Sequence, residues 1–235
     1  MVKHVSRFGV SQEVLIALGL TTEHVVETAC GAMMQAVAAR SFFALQTRAQ
    51  DAGFQLSIAS SFRSYERQLA IFNAKWRGER PVLDDNNIRL SREEHSDEAW
   101  LHRILRFSAL PGTSRHHWGT DVDVFDPSLI PPGESLALTP SEYRNGGRFS
   151  DLSLWLDELI ANDDCEGFYR PYDKDRGGVS EEPWHLSYAP IASEFRAAQT
   201  ANSLRDLWLR EASSRPHAHA VLVDQLDELM ARYVV

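Results

Sequence analysis

The stretch Gly119-Thr120-Asp121-Val122-Asp123-Val124-Phe125 alternates apolar and polar side chains with a period of two. Successive side chains of a strand point to opposite faces. Val122 and Val124 therefore share one face, and Asp121, Asp123 and Phe125 share the other. This puts two carboxylates on one side of a strand whose other side is apolar.

Helical and strand-like segments alternate around it. Val14 to Leu20 is a short apolar run with Ser11 as N-cap and Gly19 near its end. Residues 22 to 52 read as a helix capped by Thr22 and interrupted near Gly31. Phe54, Leu56 and Ile58 alternate as a strand, and Tyr65 to Trp76 is helical, with Leu69, Phe72 and Trp76 on one stripe. Residues 77–97 are charged and turn-rich and read as an exposed insertion or lid. A short helix over 98–107 and a Pro- and Gly-rich loop over 127–149 follow, then a helix from Ser150 to Ile160. Short strands at Phe168 to Pro171 and Trp184 to Tyr188 flank a turn at Gly177-Gly178, and two helices parted near Pro216 close the chain. The order predicts an α+β protein, a small antiparallel sheet flanked by helices, with extra N- and C-terminal helices. One domain is expected over residues 1–235, with a core of about 54–190 and extensions at 1–50 and 191–235.

Composition narrows the function. Apolar residues make up 43% and charged residues 24%, as in soluble globular proteins, which excludes a disordered chain or a fibrous repeat. The 33 acids against 24 bases give a net charge of −9 and argue against a general nucleic-acid binder. No 18-residue apolar stretch is present, so no membrane span is expected. Lys3 and Arg7 are not followed by an apolar run of signal-peptide length, and the expected location is cytoplasmic. Cys30 and Cys165 alone build neither a disulfide framework nor a four-cysteine metal site. The oligomeric state is left open.

The chemistry concentrates in two texts. Ser114-Arg115-His116-His117-Trp118-Gly119-Thr120-Asp121-Val122-Asp123 sets imidazoles just ahead of the acidic strand, and Gly119 permits a turn that brings His116 and Asp123 together. In Glu181-Glu182-Pro183-Trp184-His185 the proline breaks regular pairing, so Glu182 and His185 can converge despite their odd spacing. Together the two texts supply two imidazoles, one carboxylate ligand and a spare carboxylate. A catalytic zinc site needs three protein ligands and an open position, with a carboxylate nearby as general base. Neither text carries this alone, since His-His and acidic pairs are commonly solvated or structural.

Ser114, His116, Gly119 and Asp123, followed distantly by Glu182 and His185, resemble the signature of the zinc D-alanyl-D-alanine carboxypeptidases and dipeptidases. Ser60-Ser61-Phe62-Arg63-Ser64-Tyr65-Glu66-Arg67-Gln68 resembles a third segment of that family. The resemblance spans residues 54–190. It implies one zinc per chain held by His116, Asp123 and His185. It implies Glu182 as general base and then acid, and Arg63 as the group that stabilises the scissile carbonyl or holds substrate. Gln68, Ser114, Asp121 and Trp184 would shape the substrate site. The implied substrate is a peptidoglycan-derived peptide, with D,D-carboxypeptidase action favoured. An L-Ala–D-Glu endopeptidase, a D-Ala-D-Ala dipeptidase and a non-catalytic zinc module stay open.

The chain departs from the family's pattern in places. Asp121 replaces a small residue, and it would either orient a ligand histidine or grip a substrate amine. Phe62 stands where tyrosine is common. His117 faces away from its ligand neighbour and is not counted as a ligand. His217 and His219 read as solvated helix residues.

Overall fold

The computed structural model describes residues 10–210 and 212–234. Lys3, Arg7 and the rest of the first nine residues of the expected N-terminal extension lie outside them. The elements run α1 (Gln12–Ala17), β1 (Val26–Glu27), β2 (Met33–Met34), α2 (Ala36–Asp51), β3 (Ser57–Ser60), α3 (Tyr65–Trp76) and α4 (Asp97–Leu105). They continue with β4 (Asp121–Phe125), α5 (Pro140–Tyr143), α6 (Ser150–Ala161), β5 (Phe168–Tyr169) and β6 (His185–Tyr188). The chain closes with α7 (Ala189–Ala198), α8 (Ala201–Arg210), α9 (His219–Asp224) and α10 (Leu226–Tyr233). The fold is α+β, as the element order predicts. No helix among the described residues is long and apolar enough to cross a membrane. Both cysteines are free thiols.

The main sheet has the order β3-β4-β6-β5, antiparallel throughout. The alternation in β4 does what a period of two requires. Val122 and Val124 are fully buried beside Leu186 and Leu56, under Phe42 and Leu45 of α2 and Leu152 and Leu156 of α6. Each such side chain contributes roughly 1.5–3 kcal/mol on burial. The carboxylates of Asp121 and Asp123 are left on the other face. A second core joins α3 and α4 to α8, α9 and α10, through Phe72, Trp100, Leu204, Trp208 and Leu229. Helices α8, α9 and α10 therefore share a core with α3, the helix that follows Arg63.

Three expectations are corrected. Residues 22–35 are not helical. Gly31, at φ +79°, reverses the chain into the β1–β2 hairpin, which Thr28 closes by accepting from the Ala32 amide. The helix begins only at Ala36. The C-terminal region holds four α-helices rather than two. Gln199 is extended (φ −81°, ψ 94°), and Thr200 accepts from the Ser203 amide to start α8 afresh. His219 opens α9 half-buried against the ring of Trp208, so it is not simply a solvated helix residue, and His217 precedes the helix and lies 2.9 Å from Arg77.

The β1–β2 hairpin pins the loops that lead to the site. The Gln35 amide donates to Gly119 O (2.8 Å), Gln35 Nε2 donates to Trp118 O (2.9 Å), and the Phe62 amide donates to Met33 O (3.0 Å). Gly119 adopts φ +68°, and a Cβ there would lie 2.4 Å from Val25 Cγ1. Left-handed backbone costs a non-glycine residue about 1–2 kcal/mol, and overpacking costs about 1–3 kcal/mol more. Gly119→Ala should therefore lower stability by about 2–5 kcal/mol, seen as a lower urea midpoint at unchanged slope. An unshifted midpoint would contradict the turn's dependence on glycine.

Candidate active site

The register of β4 and β6 builds the centre. Asp123 stands directly opposite His185, and Asp121 opposite Ser187. His116 arrives from a 3-10 turn, Arg115–Trp118, that ends at Gly119. His185 follows a turn at Pro183-Trp184 in which its amide donates to Glu182 O (3.0 Å). That turn brings Glu182 Oε2 within 3.5 Å of His185 Nδ1. His116 Nε2 lies 3.3 Å from Asp123 Oδ2, and His185 Nδ1 lies 3.2 Å from Asp123 Oδ1. Ligand atoms of these three buried residues all lie within 4.8 Å of one another.

The surroundings leave the donor atoms free. His116 Nδ1 faces the backbone oxygen of Asp121 (3.3 Å), and His185 Nε2 faces its carboxylate (2.9 Å). One residue thus occupies the outer nitrogen of each histidine and leaves His116 Nε2 and His185 Nδ1 to point inward. Asp123 Oδ1 is buried and faces only His185 Nδ1, at 3.2 Å and without a well-formed hydrogen bond, a costly state for a carboxylate oxygen unless positive charge meets it. Two imidazole nitrogens and a carboxylate oxygen suit zinc, and the residues present fit such an ion.

The carboxylates make the centre a place that favours positive charge, carried by His185 when no cation is bound. Burial opposes charge on His185, yet hydrogen bonds to Asp121 and Asp123 hold its pKa up to about 10. Burial pushes His116 down. Asp121 stays low, at about 2 despite burial, because Arg115 and His185 face it. Burial pushes Glu182 up to about 7, with Asp123 adding to the shift and His185 and Arg63 opposing it. A carboxyl group so placed is suited to exchange a proton near neutrality.

Arg63, Ser114, Glu182 and Trp184 line a cleft of about 430 Å3 together with the three candidate ligands. Trp184 also packs on Tyr143 and Phe149. Two other expected substrate residues are not among the residues that line it. Asp121 is fully buried. It accepts from Arg115 Nε (2.8 Å), Thr120 Oγ1 (2.5 Å) and Ser187 Oγ (3.1 Å), so it orients His185 and cannot grip an amine in the cleft. Gln68 Nε2 donates to Ala109 O (2.7 Å), and its Oε1 accepts from the Gly112 amide (3.3 Å), so it braces the chain ahead of Ser114. His117 is buried with Nδ1 on the backbone oxygen of Arg63 (2.6 Å), away from the ligand cluster as expected.

The insertion reaches the cleft through Arg80, Pro81, Leu83 and Asn87. Asn87 Nδ2 donates to Ser141 Oγ (3.1 Å), and Asp85 is paired with Arg106 (2.6 Å). The segment is therefore anchored over the cleft rather than free.

Sequence reasoning missed several residues. Arg115 is buried, pairs with Asp121 and lies 4.4 Å over the Trp118 ring. Its place between Ser114 and His116 was the available signal. Tyr172 lines the cleft edge-on to His185 at 5.1 Å, and its backbone oxygen accepts from the Glu182 amide (3.0 Å). A clamp also holds the Glu182 segment from both sides. Arg144 pairs with Glu181 (2.8 Å), Arg170 Nε donates to Pro183 O (2.8 Å), and Asp157 pairs with both arginines. These residues are far apart in the sequence, and no local pattern announces them.

Comparisons with known proteins place the chain within a family. The family model described as "VanY: D-alanyl-D-alanine carboxypeptidase" matches residues 31–191. An uncharacterized protein of Haemophilus influenzae is 37% identical over 128 residues, covering 54% of this chain and 93% of that protein. A D-alanyl-D-alanine carboxypeptidase of Enterococcus faecalis is 29% identical over 137 residues, 57% of this chain but only 40% of that protein. The solved structure of VanYB in complex with D-alanine-D-alanine has a TM-score of 0.51 at 22% identity, covering 74% of this chain and 81% of that one, a likeness of fold.

Two substitutions test the centre. His185→Ala should abolish stoichiometric metal binding. Asp121→Asn should weaken zinc affinity about 10–100-fold while the fold persists. Chelator competition, with circular dichroism as the check on folding, reads both. Full zinc in His185→Ala would reject the ligand set.

Proposed function

The chain belongs to the VanY D-alanyl-D-alanine carboxypeptidase family, and we propose that it is a zinc-dependent D,D-carboxypeptidase. It would release terminal D-alanine from peptidoglycan-derived peptides, with one zinc per chain on His116, Asp123 and His185. The observation that carries this reading is the convergence of these three donors with Glu182 in one buried cleft. Zinc, when bound, supplies Lewis acidity at the scissile carbonyl.

The remaining chemistry belongs to the chain's own groups. Glu182 takes a proton from the attacking water and returns it to the leaving amine. Its burial and its clamped backbone fix its carboxyl group for both transfers. Arg63 lines the cleft, with one guanidinium nitrogen on Ser60 Oγ (3.2 Å), and offers its other donors to charge growing on the carbonyl oxygen. The anchored insertion and the 137–140 segment wall the cleft, which favours action at a chain end over action within a chain.

Asp121 no longer argues for a dipeptidase, because its carboxylate is committed to His185 and Arg115. The presence of Glu182 beside the ligands speaks against a non-catalytic zinc module.

Glu182→Gln should retain zinc and lose about 10²–10⁴ in kcat. The wild-type protein should cleave N-acylated D-Ala-D-Ala in preference to the free dipeptide, as read by D-alanine release. Activity on the free dipeptide alone would replace this reading with a dipeptidase. Activity only on an internal L-Ala–D-Glu bond would replace it with an endopeptidase.

A further inference from the structure

We propose that Lys75 and Arg80 form an anion subsite in the same cleft, which takes a side-chain carboxylate of the peptide substrate. This rests on the peptidase reading for the substrate's identity, but its placement rests on the cations themselves.

Lys75, Arg80 and Arg63 all line the cleft. Among the described residues none of the three has a carboxylate within ion-pair distance. The acids nearest in sequence are turned elsewhere. Glu79 pairs with Arg77 (2.5 Å), and Asp85 pairs with Arg106 (2.6 Å). Arg106 takes a second acid, Asp175, at 2.8 Å. In a chain with an excess of acids, the cations of this wall are left without counter-ions.

Lys75 is the informative member. It is half-buried, and its Nζ donates to Ser108 Oγ at 2.6 Å. A hydroxyl fixes the direction of the ammonium and leaves two of its three donors unspent, while Glu182 offsets its charge only from beyond ion-pair distance. Burial, with Arg80 adding to it, depresses its pKa to about 8. An anion seated between Lys75 and Arg80 would relieve both the desolvation and the repulsion.

Lys75 and Arg63 enter the cleft from different points of its wall, although the charges of Glu182 and Arg63 both reach Lys75. Lys75 lies ten residues beyond Tyr65 on α3, about 15 Å along the helix axis. Arg63 sits just before the start of that helix. An extended peptide advances about 3.3–3.6 Å per residue. A bound chain can therefore present one carboxylate to Arg63 and another to Lys75.

The test uses peptides ending in D-Ala-D-Ala that differ only in an upstream residue, acid in one and its amide in the other. A third peptide keeps the acid and carries an amidated C-terminus. Hydrolysis by wild type, Lys75→Met and Lys75→Arg gives kcat/KM, and calorimetry on the Glu182→Gln protein, with and without Lys75→Met, gives affinity without turnover. Wild type should prefer the acid over the amide at least tenfold. Lys75→Met should collapse that ratio, and Lys75→Arg should restore it. A ratio near one in wild type, or one that Lys75→Met leaves unchanged, overturns the proposal. So does a Lys75→Met effect that tracks only the C-terminal carboxylate. Acid-dependent binding without cleavage of any peptide would refute the peptidase reading and keep the subsite. Neither binding nor cleavage would refute both.

Discussion

Asp123 faces His185 across the β4–β6 pair, and the geometry of the candidate centre hangs on that pairing. A slip of one residue would turn both side chains to the opposite face and bring Val122 and Val124 out of the core. The apolar face under α2 and α6 therefore guards the polar face. Misregister would expose the two valines and Leu186 and bury two carboxylates without partners, so the cost of error falls on packing and charge together. The register is enforced from below by hydrophobic burial, and the metal-ligand geometry inherits its precision from that burial.

The buried charges behind the centre depend on mutual pairing. Asp121 is wholly out of solvent, yet each of its oxygens is met, by Arg115 and His185 on one side and by Thr120 and Ser187 on the other. Arg115 in turn reaches the Tyr169 hydroxyl and Ser187 Oγ. Removing any one member strands another in a low-dielectric interior, which makes such a network costly to dismantle piecemeal. The same logic holds the base. Arg144 and Arg170 would repel one another, and Asp157 lies between them, so the strand entrance that carries Glu182 is set by a balance of charges rather than by packing alone.

The α+β order, α3 and the acidic strand were legible in the sequence because their periodicities are local. His116, Asp123, Glu182 and His185 were legible as a group because glycine and proline mark the turns that gather them. The helix expected over 22–52 failed where Gly31 and Thr28 favour a reversal whose partners, Gly119 and Phe62, no local window contains. Asp121 could be seen as a second acid near the centre, but its direction depended on Arg115, whose charge reads as surface until the fold buries it. Gln68 was named only through the resemblance of the 60–68 segment, while its hydrogen bonds run to the loop at 109–112. The clamp of Arg144, Asp157 and Arg170 was invisible because its members meet only in three dimensions.

The link between Arg63 and the 116–117 turn has a mechanical meaning. The Arg63 amide donates to His116 O, and its carbonyl accepts from His117 Nδ1. The backbone of the guanidinium-bearing residue is thus bolted at both of its polar groups to the residue pair that contains a candidate ligand. Movement of His116 on taking up or losing an ion would be conveyed to Arg63 as by a short rigid lever, with little slack to absorb it. If the centre takes up an ion as proposed, its loading and the aiming of the arginine become one event.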